Sequence, residues 1–278
     1  MIPAKITKTI LIVITLFLIG VFNEYPKYKD YYDDMSHIYF FDVGQGDSIL
    51  IKTFDRKLIL IDGGANDDVI FRISEVLPFW IKRIDYVVVT HPHADHIFGL
   101  ISVINQYDVG CVQYDDSLPS ISKVEEEFRS VSKERNLLSS SCIDGVMENY
   151  KVNSSEIADS DNPNMRSIIS VYTYKDFDVL FTGDAEIPVQ TEILPFLSKD
   201  IEIIKVPHHG SKDSFYTQLL FALRPEVAVI SVGKDNKYHL PSKDTIDGYE
   251  GLGIKVLRTD FSGSIEVISD GNLWSVVE

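Results

Sequence analysis

The sequence predicts an α/β protein built as a four-layer αββα sandwich, preceded by one N-terminal signal-anchor helix. Three observations predict it. Short β-branched and aromatic runs alternate with amphipathic helical stretches from His37 onward, and they do so in two sheet-rich halves, each followed by helices. The chain has 278 residues, 45% of them apolar, which suffices for one large domain. An uncharged apolar run, Ile10–Phe22, stands apart from that pattern.

Lys5 and Lys8 precede this run and the polar stretch NEYPKYKDYYDD follows it, the layout of a secretory signal. The run is short for a membrane helix, which needs about 20 residues, but counted from Ile6 with Lys8 snorkelling it approaches the lower limit of about 17. Its exit is bulky (Leu18, Ile19, Val21, Phe22), with no small-x-small cleavage pattern and no cysteine for a lipid, so an uncleaved transmembrane anchor is expected. Lysines on the short side keep Met1 in the cytoplasm and the following domain outside. Residues 1–35 are read as anchor and polar linker, and residues 36–278 as the catalytic domain. A buried N-terminal helix is the alternative, disfavoured because the run has no polar face.

The elements follow in order. HIYFFDV, DSILIKT and KLILID form a strand meander, and a helix is expected near Asp67–Leu77. The apolar strand DYVVVT leads into a histidine-rich loop and a helix beginning IFGLISVI. A strand near Val109–Tyr114, a charged helix near Ser122–Leu137 and a polar loop, Asn149–Asn164, close the first half. The second half reads SIISVYTY and FDVLFTGD as strands, a helix from Ile187 to Leu197, strand IEIIKV, helix SFYTQLLFAL, strand EVAVISV and a helix near Lys243–Gly251. IKVLR, SIEVI and LWSVV end it. The net charge of −16 repels polyanions at long range, so a phosphate-bearing substrate must be held locally, as bound divalent ions would do. Cys111 and Cys142 have no metal-binding or redox spacing. A single bridge outside the cytoplasm and two buried thiols both satisfy them.

Catalytic metal sites use imidazole and carboxylate ligands and keep a position open for water. In THPHADH, His91 and His93 stand at i and i+2 of an extended segment and can share one ion. The chain then turns, so Asp95 and His96 can address a second. Asp184 ends the strand LFTGD after a glycine that permits close backbone approach, which suits a bridging ligand. His208 and His209, in VPHHGS, cannot both face one ion, so one should bind metal and the other face substrate. Asp62, ending LILID, is read as an acceptor that orients a ligand histidine, with a turn carboxylate as the alternative.

These motifs, DVGQGDS (42–48), LIDGG (60–64), THPHADH (90–96), Asn164-x-x-Ser167, FTGD (181–184), VPHHGS (206–211) and VISVGKDNKY (229–238), together resemble the metallo-hydrolase domain of the ComEC competence family, a branch of the metallo-β-lactamase superfamily. The resemblance covers residues 37 to about 270. It implies the metallo-β-lactamase sandwich and a dinuclear phosphoesterase outside the membrane. His91, His93 and Asp184 would hold one ion, and Asp95, His96, Asp184 and His209 the other. Zinc is the expected metal. No histidine lies between His96 and His208, where many members supply a further ligand, so Asn162, Asn164 or water fills that position and manganese becomes an alternative. Only one apolar span is present, where the competence proteins have a multi-helix channel.

The expected chemistry is attack on phosphorus by water activated between two ions, with Asp95 and His208 as the catalytic groups and His208 donating to a phosphoryl oxygen or the leaving alkoxide. Gln45, Asn164, Ser211 and His239 are placed at the substrate rim. A turn amide, a helix N-cap and a surface histidine are the simpler readings of Gln45, Ser211 and His239. Lys205, Lys212, Lys234 and Lys237 cluster near the site by sequence. The partners expected are a phosphodiester substrate, either nucleic acid or wall polymer, and the membrane; no protein partner is inferred. A carbonyl hydrolase acting on a lactam, thioester or lactone, and a non-catalytic metal-binding module, are the alternatives. The short first-site ligand set counts against the former, and the retention of both metal positions against the latter.

Overall fold

A computed structural model describes residues 4–114, 119–120, 122–143, 145, 147–152, 154, 160–197 and 199–277, with side chains from Lys8 onward; the side chain of Lys5 lies outside the described residues, as does part of the polar loop expected at 149–164. The first helix, α1 (Ala4–Tyr32), runs through the apolar segment and on through the polar stretch after it. That stretch is therefore not the linker the sequence suggested. Its tyrosines explain why: Tyr31 packs on the first core of the domain, and the Lys27 ammonium donates to the Ser74 carbonyl at 2.8 Å.

The meander is β1 (Ser36–Phe40), β2 (Ile49–Lys52) and β3 (Leu58–Ile61), all antiparallel neighbours. Helix α2 (Asp68–Val76) then crosses to β4 (Arg83–Val88), which pairs parallel with β3. Helix α3 (Ala94–Gln106), β5 (Asp108–Gln113), α4 (Lys123–Glu134) and β6 (Leu138–Ser139) follow, with β5 and β6 extending the parallel edge. The second half holds β7 (Glu148–Tyr150), β8 (Ile169–Tyr174), β9 (Phe177–Phe181), α5 (Ile187–Ile193) and β10 (Ile203–Lys205). It continues with α6 (Thr217–Leu223), β11 (Val227–Ile230), α7 (Lys243–Gly251) and β12 (Lys255–Arg258). A short α8 (Thr259–Ser262) returns the chain to the first sheet, where β13 (Ile265–Ser269) pairs with β1 and β14 (Trp274–Val277) forms the edge.

One sheet has the order β14-β13-β1-β2-β3-β4-β5-β6 and the other β12-β11-β10-β9-β8-β7. Three buried clusters fill the layers. Leu60, Val69, Ile97, Leu100 and Phe128 join the first sheet to its helices. Ile38, Phe40, Ile61, Val88, Phe181 and Val229 lie between the sheets. Leu180, Val189, Leu220 and Tyr249 join the second sheet to α5, α6 and α7. This is the αββα sandwich. The central strands read as continuous apolar runs because both faces are covered. Strands β6 and β7, with two and three residues, were missed because nothing in so short a stretch alternates. The helix expected to reach Leu197 ends at Ile193 and continues as a 3₁₀ turn, Leu194–Phe196, since Pro195 offers no N–H to an α-helical bond. Cys111, in β5, is disulfide-bonded to Cys142.

Candidate metal centre

Strands β3 and β4 of one sheet run parallel to each other, as do β9, β10 and β11 of the other, so their C-terminal ends gather at one edge of the sandwich. Asp62 leaves β3, the loop 89–93 leaves β4, Asp184 leaves β9 and the His208–His209 pair leaves β10. Two glycine contacts let these ends close. A Cβ on Gly99 would lie 2.0 Å from the Gly63 carbonyl oxygen, so only glycine lets α3 press against the LIDGG turn. Gly183, with φ of +51°, brings the FTGD turn onto Thr90, where a Cβ would meet the Thr90 Cβ at 2.8 Å.

Eight of the residues singled out from the sequence converge here. The Asp184 Oδ2 lies 3.7 Å from His91 Nε2, 3.5 Å from His96 Nε2, 3.6 Å from His209 Nε2 and 3.9 Å from His208 Nε2. His91, His93 and Asp184 present ligand-type atoms within 4.8 Å of one another, and so do Asp95, His96 and His209. His209 Nε2 is 3.7 Å from Asp95 Oδ2. Asp62 is fully buried: it accepts from the Thr90 N–H at 2.9 Å and the Thr90 hydroxyl at 2.6 Å, and its Oδ2 lies 2.7 Å from His96 Nδ1. That contact holds the His96 proton on Nδ1 and turns the Nε2 lone pair inward. The Ser231 carbonyl, 2.8 Å from His209 Nδ1, does the same for His209.

The two adjacent histidines part. Both have left-handed backbone, φ +49° and +51°, and Gly210 follows at +83°, a tight turn of a kind found at functional sites because its strain must be compensated by packing. The turn buries His209 among Asp184, Asp95 and Asp47, while 29% of the His208 side chain remains exposed at the rim. Asn164, buried, has its amide nitrogen 3.5 Å from the His208 ring and donating to Glu186 at 3.2 Å; Asn162 donates to the same carboxylate oxygen at 2.8 Å.

The rim residues divide. Gln45, half-buried, accepts from the Gly233 N–H at 3.3 Å. Ser211 accepts from the Asp213 N–H and so caps the short turn Lys212–Ser214. The exposed His239 ring makes no hydrogen bond or ion pair among the described residues. Of the basic residues grouped by sequence, Lys212, Lys234 and Lys237 are exposed, whereas Lys205 is fully buried and cannot meet substrate. Its ammonium pairs with Asp47 and donates to the Gly183 carbonyl at 3.0 Å. Asp47 is the functional-site residue that sequence reasoning missed: buried, 3.5 Å from His209 Nδ1 and 3.9 Å from His96 Nδ1. A lysine inside the apolar strand IEIIKV was the available signal, since a buried ammonium requires a carboxylate partner.

Electrostatics shows what the site lacks. Burial, with His96 beside it, drives His91 well below its ordinary pKa, and burial lowers His93 as well, so both rings are neutral donors. Burial acts in the same direction on His96 and His209, but Asp184 with Asp62 in one case, and Asp184 with Asp47 in the other, outweigh it and raise both. Burial would raise Asp184 and Asp95, yet the surrounding imidazoles hold both carboxyls well below the usual range. Asp47, Asp62, Asp95 and Asp184 thus outnumber the cations around them, buried Lys205 and the His96 and His209 imidazoles whose protonation they favour. His96 Nε2, His209 Nε2, Asp184 Oδ1 and Asp47 Oδ1 are buried without hydrogen-bond partners. Buried imidazole and carboxylate atoms with no partner, converging beside four carboxylates, fit divalent cations that would take the place of the imidazole protons.

The profile of the metallo-β-lactamase superfamily matches residues 41–140. The chain is 28% identical over 247 residues to ComE operon protein 3 of Bacillus subtilis (strain 168), covering 81% of this chain and 32% of that protein. It is 26% identical over 227 residues to competence protein ComA of Neisseria gonorrhoeae, covering 81% of this chain and 31% of that one. It spans about a third of the length of these curated relatives. The fold matches that of the metallo-β-lactamase fold protein YhfI from Bacillus subtilis at a TM-score of 0.55 and 11% identity, over 87% of this chain and 100% of that one. Fold and site together are those of the metallo-β-lactamase fold, with the divalent-metal hydrolase architecture that goes with it. In sequence it is similar to the ComEC-type competence proteins, and it carries an N-terminal helix long and apolar enough to cross a membrane.

Proposed function

We propose that this protein is a membrane-anchored, extracytoplasmic phosphodiesterase that uses two divalent ions, zinc or manganese, to cleave nucleic acid or a phosphodiester-linked wall polymer. One observation carries the reading: Asp184 Oδ2 sits 3.5–3.9 Å from four imidazole nitrogens, with a ligand cluster on either side of it. A shared carboxylate between two donor sets suits a paired-cation clamp on the oxygens of a phosphoryl group. The first set has two imidazoles and a carboxylate, a combination rich enough in oxygen to admit manganese. When bound, such ions acidify water and neutralise developing charge on phosphoryl oxygens.

The remaining work belongs to side chains of the chain itself. His91, His93 and Asp184 would hold one ion, and Asp95, His96, His209 and Asp184 the other. Asp62 and Thr90 fix the His96 ring, and the Ser231 carbonyl fixes His209. Lys205 neutralises Asp47 and keeps the floor of the site rigid. His208, partly exposed at the rim and steadied by Asn164, is positioned to donate a proton to a phosphoryl oxygen or leaving alkoxide. The membrane placement is supported by the apolar stretch of α1, long enough to span and exposed throughout, by Lys5 and Lys8 ahead of that stretch, and by the Cys111–Cys142 bridge, which an oxidising compartment preserves.

The test is hydrolysis by the purified full chain, loaded in turn with zinc and manganese, of a bis-aryl phosphate, single-stranded DNA and a β-lactam. Turnover of the phosphodiesters well above that of the lactam is expected; the reverse order would overturn the assignment. Protease added to intact cells should digest the domain, and protection until lysis would refute its orientation.

A further inference from the structure

Phe79 and Trp80, at the turn between α2 and β4, are 67% and 44% exposed. With Phe17, Val21, Tyr25 and Tyr28 of α1 they line an apolar groove of about 630 Å³ that opens outward. We propose that this aromatic face lies in the interfacial layer of the bilayer, so that the domain rests on neutral lipid headgroups instead of swinging from its anchor; the proposal rests on the reading of α1 as a membrane span.

The attachment of α1 to the domain is stiff. Helix α1 continues through Pro26 to Tyr32, and three contacts tie it down on both sides of that proline: the Phe79 N–H donates to Glu24 at 3.0 Å, Lys27 donates to the Ser74 carbonyl, and the Tyr28 and Trp80 rings stand 6.5 Å apart. The heights follow from helix geometry. The stretch from Ile6 to Phe22 is about 26 Å long at ~1.5 Å per residue, just short of the ~30 Å hydrocarbon core, so Phe22 sits at its outer boundary. Glu24, and with it Phe79, lies only ~3 Å beyond, and Tyr28 with Trp80 ~9 Å beyond, within or at the edge of the headgroup layer. A short span also draws its flanking residues inward. Tyrosine and tryptophan are the residues that favour this depth, apolar at one end and wet at the other. Charge selects the lipid: at a net −16 the protein is repelled by anionic headgroups, so apolar insertion into a neutral surface is what holds the face down.

The chain has two tryptophans, which makes the test direct. Trp274 packs against Phe177 on the inter-sheet core. The full-length Trp274→Phe variant is reconstituted into phosphatidylcholine vesicles, with either natural acyl chains or chains brominated near the carbonyls, and flotation is measured alongside fluorescence. Flotation with a large loss of Trp80 emission in brominated lipid supports the proposal. Flotation with undiminished emission overturns it and leaves the anchor standing. Failure to float overturns the anchor and the proposal with it. The difference in quenching between the unaltered chain and Trp80→Phe reads the same quantity without touching Trp274.

Discussion

Replacing Asp62 by asparagine separates the roles of the metal ligands from those of the residue behind them. Asp62 receives three contacts: the Thr90 N–H at one oxygen, and the Thr90 hydroxyl and His96 Nδ1 at the other. Asparagine can keep the first with its carbonyl. Its amide then faces His96 and donates to Nδ1, moving the ring proton to Nε2, the atom that points into the site. A ligand becomes a donor, and the loss expected for such an orienting partner is 10–100-fold in metal affinity, about 1.4–2.7 kcal/mol. Stability of the metal-free protein should change far less. The lost charge-assisted bonds are worth about 1.5–3 kcal/mol each, but burial raises the pKa of Asp62 despite the opposing effect of His96, so the mutation also removes a costly buried charge of similar size. Competition against a fluorescent chelator gives the affinity, and urea unfolding of the stripped protein gives the stability. Unchanged affinity in a folded variant would refute the argument.

Three further outcomes are expected. His209→Ala should lower metal content and activity together, while His208→Ala keeps the metal and loses about 10²–10⁴-fold in kcat, less on an ester with a good leaving group; metal loss in His208→Ala alone would reverse the two roles. Gly99→Ala places a methyl 2.0 Å from the Gly63 carbonyl oxygen and must push α3 off the turn that carries Asp62, costing about 1–3 kcal/mol of stability and lowering turnover; an unperturbed Tm and rate would contradict that packing. Burial alone would depress the pKa of His37, but hydrogen bonds to Glu266 and Asp33 outweigh it and raise it, so its stabilising contribution is complete below pH ~6.5 and fades as pH rises through the folded value. The stability gap between the native chain and His37→Asn should therefore narrow with rising pH in urea titrations, and a gap that widened would reverse the sign.

Much of the fold was legible because its strands are covered on both faces and read as unbroken apolar runs, and because THPHADH packs four ligand-type residues into six positions. What the sequence concealed has physical causes. The helix from Asn23 to Tyr32 reads as a polar linker, since its stability comes from tertiary contacts such as Tyr31 on the core and Lys27 on α2, which no local pattern announces. Asp47 was visible only as part of a motif; its role depends on Lys205, 158 positions later in the chain, reaching back from the opposite sheet. By the same route Lys205, counted with the basic residues near the site, proves to be interior. Ser211 shows the converse: its position in VPHHGS suggested the rim, and its side chain caps a turn.

The central claim is that two cations share Asp184, and metal stoichiometry tests it most directly. The full chain, stripped and reconstituted with zinc or manganese, should hold about two ions per molecule by elemental analysis, and Asp184→Ala should hold fewer than one while remaining folded by circular dichroism. An Asp184→Ala protein that retained both ions, or a native chain that bound none after reconstitution, would contradict the account.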